Sequence, residues 1–195
     1  MKSSLIAVLA VVGILVLGGL WYVSAGNNLI TLDERVNSAS SQVENVYQRR
    51  ADLIPNLVAT VKGYAKHEAD VLEAVTQARA QVGQVKVGGI KTAEDMEKFD
   101  RSQGALSSAL SRLMVVSEKY PELKADKGFL ELQSQLEGTE NRITVERQRF
   151  NETVKEFNTS IRVFPGSIVA GNKGFKERPY FQAKKGSDEA PKVSF

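Results

Sequence analysis

The sequence predicts an all-α protein in which an N-terminal transmembrane helix is followed by an antiparallel, up-down-up-down four-helix bundle. Three observations predict this fold class: an uncharged apolar run near the N-terminus, apolar residues spaced alternately three and four apart, and helices of matching length. No stretch alternates by two, as a strand would. The expected organisation is an N-terminal flank (1–4), a transmembrane anchor (5–25), the bundle (27–164), a basic and aromatic segment (165–183) and a disordered tail (184–195).

The first element is the apolar run from Leu5 to Val23, which carries no charge. As a helix it spans about 28 Å, close to the hydrocarbon thickness of a bilayer. Trp21 and Tyr22 close the run, at the level where aromatic rings prefer the headgroup layer. A cleaved signal peptide is the alternative, although its apolar region would be unusually long. Lys2 before the run favours a single-pass protein of the inner membrane with a cytoplasmic N-terminus and an extracytoplasmic bundle.

Four helices are expected after the anchor, over residues 27–54, 56–82, 93–119 and 127–164. Pro55 interrupts the first stripe because it has no backbone N–H and its ring clashes with the carbonyl four residues earlier. A mere kink would leave a helix of about 84 Å without a partner of matching length. A chain reversal at Pro55 is therefore favoured over a kink. Thr92 and Asp126 are the expected N-caps of the third and fourth helices.

Three charged residues, Arg50, Glu140 and Arg147, fall on stripe positions that otherwise carry apolar side chains. They are the candidate polar cluster of the bundle interior. The favoured interpretation is an interhelical ion pair that fixes register, with long stems packed on the seam and charged ends reaching water. The alternative is a functional charged site, which would make the protein a hydrolase-like envelope enzyme using the region of Glu140 and Arg147.

Composition excludes several kinds of site. The 195-residue chain has no cysteine and a single histidine, His67, which excludes thiolate metal sites and zinc centres built from several imidazoles. There is no Gly-rich phosphate loop and no carboxylate pair of distinctive spacing, so we expect no catalytic residue, metal or cofactor. With 26 Lys+Arg against 23 Asp+Glu, the net charge of +3 is too balanced to indicate nucleic-acid binding by itself.

Basic and aromatic residues are interleaved in the C-terminal segment. The candidate membrane-surface contacts there are Lys173, Phe175, Lys176, Arg178, Tyr180 and Phe181. Such a mixture suits a headgroup layer or single-stranded nucleic acid, but an exported domain has little nucleic acid to meet. The last helix of a four-helix bundle returns toward the membrane. The segment is therefore expected to touch headgroups or to fold against that end of the bundle, and a partly packed, partly loose terminus is the slightly favoured alternative.

Two blocks of the sequence resemble the LemA family. Residues 41–58 read Ser-Gln-Val-Glu-Asn-Val-Tyr-Gln-Arg-Arg-Ala-Asp-Leu-Ile-Pro-Asn-Leu-Val. The second block joins Tyr-Pro-Glu-Leu-Lys at 120–124 to Leu-Glu-Gly-Thr-Glu-Asn-Arg-Ile at 136–143. The resemblance covers about residues 27–181 and implies one N-terminal anchor, a four-helix bundle and a reversal near Pro55. It implies no reaction, so no catalytic residue is carried over.

These features together predict a non-enzymatic, membrane-anchored scaffold or adaptor of the cell envelope that works through protein–protein contacts. One expected partner is the lipid bilayer, through residues 5–23. The other is a protein, or a second copy of this chain, whose identity the sequence does not give. Nucleic acid is not expected as a partner.

Overall fold

The computed structural model describes residues 2–84 and 87–182, and every regular element in that part of the chain is helical. The elements are α1 (Lys2–Tyr64), α2 (Ala69–Val82), a 3₁₀ turn (Val87–Gly89), α3 (Ala93–Glu118), α4 (Pro121–Lys124), α5 (Lys127–Arg162) and α6 (Gly166–Lys173). The all-helical class is thus confirmed for the described residues. The tail expected to be disordered (184–195) lies outside them.

One helix of 63 residues, α1, carries both the apolar run and the first stripe of the packed domain. It is the one described helix long and apolar enough, by length and composition, to cross a membrane, and none of its most apolar stretch is buried within the protein. Burial begins at Gly26 and Leu29. Residues 25–28, where the anchor was expected to end, remain helical, so the apolar run continues into the domain without a break.

The predicted chain reversal at Pro55 is wrong. Helix α1 continues through this residue to Tyr64, and the chain turns over residues 65–68 instead. Pro55 lies on the exposed face, and its missing N–H leaves the carbonyl oxygen of Ala51 without its helical donor. Arg79 of α2 replaces that donor, since its Nε lies 2.9 Å from the Ala51 oxygen. A side chain of the next helix therefore repairs the gap.

The starts of α3 and α5 follow local capping chemistry, as expected. The Thr92 hydroxyl accepts a hydrogen bond from the N–H of Asp95 at 3.1 Å, and the Asp95 carboxylate accepts one from the N–H of Thr92 at 3.1 Å. This reciprocal pair is a capping box. Asp126 accepts from the N–H of Phe129 at 2.8 Å. The segment expected as one helix over 56–82 is divided between α1 and α2 by the turn after Tyr64.

Two apolar cores lie one after the other along the domain. The distal core, farther from the apolar run, joins α1 beyond Leu53 to α2, α3, α4 and the start of α5, and its members are mostly aliphatic. The proximal core joins α1 between Leu29 and Tyr47 to the remainder of α5, the start of α3 and α6. Its buried aromatic members are Tyr47, Phe99, Phe150, Phe157 and Phe181.

Helices α1 and α5 pass through both cores and run in opposite directions. Arg50 of α1 pairs with Glu140 of α5, whereas Arg35, earlier in α1, lies 4.0 Å from Glu156, later in α5. Helices α2 and α3 cover this pair mainly at the distal core. At the proximal core, α6 and the extended residues 175–182 pack in their place. We call residues 175–182 the C-terminal strap.

Candidate functional site

Hydrogen-bonded polar side chains lie between the two cores, on α1, α3 and α5. We call this group the polar layer. It consists of Tyr47, Arg50, Asp100, Gln103, Ser107, Glu140 and Arg147. The layer contains all three residues of the predicted polar cluster. It arises because Arg50, Gln103, Glu140 and Arg147 occupy stripe positions that otherwise carry apolar side chains, over about two turns of α5.

Arg50 is the centre of the layer and is only 2% exposed. Its guanidinium donates to the side-chain oxygen of Gln103 and to the carboxylate of Glu140, and its Nη1 lies 3.3 Å from Ser107 Oγ. It also lies over the Tyr47 ring, 5.1 Å from the centroid, in a cation–π contact. The Glu140 side chain is 49% exposed, so a buried cation is paired with a carboxylate that water still reaches. This pairing offsets the cost of burying the charge.

Arg147 belongs to a second group within the layer. Its Nη1 lies 3.4 Å from the Asp100 carboxylate and 3.4 Å from the Tyr47 hydroxyl. Its Nη2 donates to the backbone carbonyl of Gln182 at 2.9 Å, and its guanidinium lies 4.6 Å from the centroid of the Phe181 ring. Arg147 therefore joins α3, α1 and the strap.

Burial shifts two titrations in the layer. The pKa of Tyr47 is raised above 10.0, mainly by burial, although Arg147 and Arg50 oppose the rise. The pKa of Asp100 is raised above 3.8 by burial, and the charge of Arg147 opposes that rise. Tyr47 is therefore neutral at physiological pH, with its hydroxyl beside Arg147 and its ring facing Arg50.

The structure brings the three predicted residues into one layer but not into one pair. Arg50 pairs with Glu140, and Arg147 pairs with Asp100. Sequence analysis missed Tyr47, although its position four residues after Val43 and three before Arg50 is a helical stripe spacing. Asp100 lies beside the stripe of α3, and no pattern in the sequence connects it with Arg147.

The polar layer leaves little room for a substrate. The cleft beside Tyr47 and Gln103 has a volume of about 80 Å³, well below the roughly 300–1,000 Å³ of ordinary small-molecule sites. A wider groove of about 410 Å³ lies open on the outer face between α1 and α5, lined partly by Arg49, Asp52 and Gln135. Within residues 2–84 and 87–182, no three His, Cys, Asp or Glu side chains are grouped to hold a metal ion.

Two asparagines of α5 hold the C-terminal strap. Asn158 pairs with both backbone groups of Arg178, accepting from its N–H and donating to its carbonyl at 2.9 Å each. Asn151 makes the same two contacts with Phe181, also at 2.9 Å. The asparagines lie seven residues apart, two turns of α5, so both project from the same side of the helix toward the strap.

Side chains of the strap complete the proximal core. Arg178 forms a two-pronged contact with the Asp33 carboxylate, at 2.8 Å from Nη2 and 3.2 Å from Nε. Phe181 is buried, with its ring centroid 5.1 Å from that of Phe150. Phe175 is half-buried in the same core. Phe175, Arg178 and Phe181 therefore lie against the domain, which is one of the placements that the sequence predicts for this segment.

The other expected membrane contacts keep their side chains outside the core. Lys173, Lys176 and Tyr180 are exposed. Of the two aromatics expected at the membrane interface, Trp21 is exposed, and Tyr22 packs partly buried against the proximal core. The packed domain therefore begins within the last turn of the apolar run.

Comparison with sequence models of known protein families identifies the family to which this helical protein belongs. The sequence model of the LemA family matches residues 39–195, a range that contains the whole polar layer, α5 and the strap. The chain belongs to the LemA family. Both blocks on which the sequence resemblance depends meet in the polar layer of this LemA-family protein, because Arg50 lies in the first block and Glu140 in the second.

Individual relatives include magnetosome proteins. The chain is 28% identical over 180 residues to the magnetosome protein MamQ 2 of Paramagnetospirillum magneticum, covering 83% of this chain and 66% of that protein. It is 26% identical over 162 residues to the protein LemA of Metamycoplasma hominis, covering 83% and 71%. The chain thus spans slightly less than two thirds of the MamQ 2 length. Family membership and the apolar stretch of α1 indicate a membrane-associated helical protein.

Proposed function

We propose that this protein is a membrane-anchored, non-enzymatic helical bundle of the cell envelope that acts as a scaffold or adaptor through protein–protein contacts. The observation that carries the proposal is that the charged groups of the polar layer are bonded to one another. Arg50 is bound by Gln103, Ser107 and Glu140, and Arg147 by groups of α1, α3 and the strap. These contacts direct both guanidinium groups into the protein rather than toward a substrate, although Arg50 Nε is buried without a hydrogen-bond partner in the described part of the chain.

The positions of the chain reversals support an up-down-up-down arrangement of α1, α2, α3 and α5. The Tyr64 hydroxyl at the end of α1 lies 3.0 Å from the Asp126 carboxylate at the start of α5. The Tyr120 hydroxyl lies 3.3 Å from the Glu68 carboxylate. The turn between α1 and α2 and the turn between α3 and α5 therefore share the distal end. Such a rod on a membrane anchor presents long helical faces to a partner.

The alternative, a hydrolase-like envelope enzyme, has less support. Its two candidate residues belong to different pairs, since Glu140 is bound by Arg50 and Arg147 lies beside Asp100. General acid–base catalysis needs a titrating group within hydrogen-bond reach of a bound substrate. Asp100 has a raised pKa, but it faces Arg147 and does not line the small cleft beside Gln103.

Crosslinking of the full-length protein in its native membrane tests the scaffold role. A photoreactive residue at Val115 or Leu130, both exposed apolar positions on the distal half, is expected to capture one defined protein or a second copy of this chain. The same probe at exposed Lys155 is the matched control and is expected to capture less. A protein that stays uncrosslinked at all three positions would contradict the scaffold role.

Two substitutions distinguish the scaffold hypothesis from the enzyme hypothesis. Glu140→Gln and Arg147→Met are each expected to lower the free energy of unfolding. Both variants should still form the crosslinks, and cells that carry them should keep the phenotype of wild-type cells. If Glu140→Gln abolished the phenotype while stability and crosslinks were unchanged, the enzyme would be favoured instead. Both measurements use the full-length protein.

We further propose that the anchor spans the inner membrane once, with the N-terminus in the cytoplasm and the domain outside. Because the sequence has no cysteine, Ser108→Cys places a single thiol on the exposed face of α3. A membrane-impermeant maleimide is expected to label this thiol in intact cells. Labelling that requires lysis would put the domain in the cytoplasm and reverse the proposed orientation.

A further inference from the structure

Bulky apolar side chains are exposed at the proximal end of the domain. Val163 is 52% exposed, Phe164 78% and Ile168 51%. They lie in the bend between α5 and α6 and on the first turn of α6, and we call residues 163–168 the α5–α6 corner. The apolar spacing of α5 continues to Phe164, but the helix ends at Arg162, so this ring turns away from the proximal core. Exposed apolar clusters of this kind mark contact surfaces.

The bend itself is closely packed. Gly166 allows it, because a Cβ at this position would overlap the backbone carbonyl oxygen of Ser160. The N–H of Ser167 donates to the carbonyl of Val163 at 3.0 Å. The corner therefore holds its apolar side chains in a defined place at the end of α5.

Helix α6 packs on α1 at the level where the apolar run ends. A Cβ on Gly26 would lie 3.7 Å from Val169 Cγ1, and the Lys173 side chain approaches the same glycine. Val169 and Ala170 are buried in the proximal core, against which Tyr22 also packs. Tyr22 lies in the last turn of the run. When the run spans a bilayer, α6 therefore lies at the headgroup layer, which is about 5–8 Å thick on each side.

The register of α1 and α5 gives the same depth independently. Arg35 lies opposite Glu156, at 4.0 Å. Arg162, the last residue of α5, lies about 9 Å beyond Glu156, and because the helices run in opposite directions it is level with about Leu29. That level is about 9 Å beyond the end of the run at Val23, and Phe164 follows two residues later in the bend. A phenylalanine side chain at this height reaches the headgroup layer.

The charges around the corner favour anionic headgroups. No Asp or Glu occurs between Glu156 and Glu177, whereas Arg162, Lys173 and Lys176 lie in that interval. Glu177 lies 3.6 Å from Arg162, so these two charges are paired and Lys173 and Lys176 remain. The end of the domain that faces the bilayer therefore combines exposed apolar groups with net positive charge, which is the composition of interfacial membrane contacts.

We propose that the α5–α6 corner is a second, interfacial contact with the lipid bilayer. Phe164, Val163 and Ile168 enter the headgroup layer beside α1, and Lys173 meets anionic headgroups. The proposal rests on the proposed membrane anchoring, and it holds for either orientation of the domain. Two points of attachment set the tilt of the domain relative to the membrane, so a partner would meet it at a defined angle.

Tryptophan fluorescence tests the contact, because Trp21 is the only tryptophan in the sequence. The full-length protein is reconstituted in vesicles of phosphatidylcholine with about one fifth phosphatidylglycerol, with or without bromine near the headgroup end of the acyl chains. The wild type reports on the anchor through Trp21. The double variant Trp21→Phe, Phe164→Trp carries the reporter at the corner. The matched control Trp21→Phe, Leu130→Trp carries it at an exposed distal site of α5.

We expect brominated lipid to quench the reporter at position 164 about twofold or more, because interfacial side chains lie at the boundary of headgroups and acyl chains. The reporter at position 130 is expected to be unaffected. Adding Lys173→Gln to the corner variant is expected to weaken quenching in the anionic vesicles. Unchanged quenching would remove Lys173 from the contact.

The remaining outcomes distinguish failure of the proposed corner contact from failure of the proposed membrane anchoring. If position 164 is unquenched while Trp21 of the wild type is quenched, the corner contact is overturned and the anchor stands. If Trp21 is unquenched, the proposed anchoring fails. A blue-shifted but unquenched reporter at position 164 would mean that protein rather than lipid covers the corner, and this also overturns the proposal.

Discussion

The two halves of the domain cover the paired helices α1 and α5 in different ways. At the distal core, α2 and α3 do so with aliphatic side chains, and their backbone groups are satisfied within each helix. At the proximal core an extended strap takes this role. Its backbone has no helix or sheet to bond with, so Asn151 and Asn158 supply the hydrogen bonds. A covering helix needs apolar residues alone, whereas a covering strap also needs polar partners.

The polar layer lies at the boundary between the part of α1 and α5 that α2 and α3 cover and the part that the C-terminal strap covers. Arg147 contacts Asp100 near the start of α3 and the carbonyl of Gln182 at the end of the strap. Arg50 binds Gln103, one turn further along α3. The layer therefore connects the two halves, and the largest loss of stability is expected there.

Removing the centre of the layer should affect both halves. Arg50→Ala is expected to lower the free energy of unfolding by about 3 kcal/mol, because it leaves a cavity and an unpaired buried Gln103. Arg50→Met, which retains volume, should cost about 1–2 kcal/mol. Denaturant unfolding of the full-length protein in detergent measures both. Arg49→Ala, at an exposed neighbour, is the control, and equal losses at positions 49 and 50 would contradict the central role of Arg50.

Removing an asparagine should release the proximal half alone. Asn151→Ala or Asn158→Ala each deletes two hydrogen bonds to the strap, and a loss of about 2 kcal/mol is expected. Chymotrypsin should then cleave faster after Phe181, whose ring is buried while the strap is in place. Asn141→Ala, on an exposed position of the same helix, is the matched control. Equal cleavage rates in all variants would show that side-chain packing holds the strap without the amides.

In the distal half, the hydrogen bond from Arg79 to the Ala51 carbonyl is expected to stabilise α1 where Pro55 interrupts its backbone hydrogen bonding. Arg79→Met should cost about 1 kcal/mol in the wild type, because it removes the donor to the Ala51 carbonyl. Pro55→Ala restores a backbone N–H to that carbonyl, so the same change should cost less in this background. A double-mutant cycle measured by denaturant unfolding is expected to give a coupling of roughly 0.5–1 kcal/mol. Additive effects would mean that Arg79 does not compensate for the proline.

The smallest expected effect is a pH dependence at the distal end. Hydrogen bonds from the N–H of Phe129 and the hydroxyl of Tyr64 hold the pKa of Asp126 below 3.8. A carboxyl with a lowered pKa contributes stability above its unfolded pKa, and that contribution is lost as the pH falls through the folded value. Asp126→Asn keeps an acceptor at the cap and cannot titrate.

The melting temperature at about pH 7 and about pH 3 tests this expectation. The wild type should lose more stability between the two values than Asp126→Asn does. Exposed Glu122→Gln is the control and should behave as the wild type. An identical pH dependence in Asp126→Asn and the wild type would place the acid sensitivity elsewhere in the domain.

The helical class, the apolar run and the caps at Thr92 and Asp126 can be predicted from the sequence alone. These features follow from short-range physics, since hydrophobic spacing and capping act within one or two turns. The sequence also identifies Arg50, Glu140 and Arg147 as charged residues on apolar stripes, because a charge on a stripe is visible without knowing what faces it.

Which groups meet depends on tertiary packing. Pro55 stays within α1 because Arg79 of another helix reaches the Ala51 carbonyl, and Arg147 pairs with Asp100 rather than Glu140. The strap is held by two asparagines of α5, and Phe164 is exposed because the chain bends at the end of α5. Each of these contacts joins residues distant in sequence, and their pairing depends on the register and packing of whole helices.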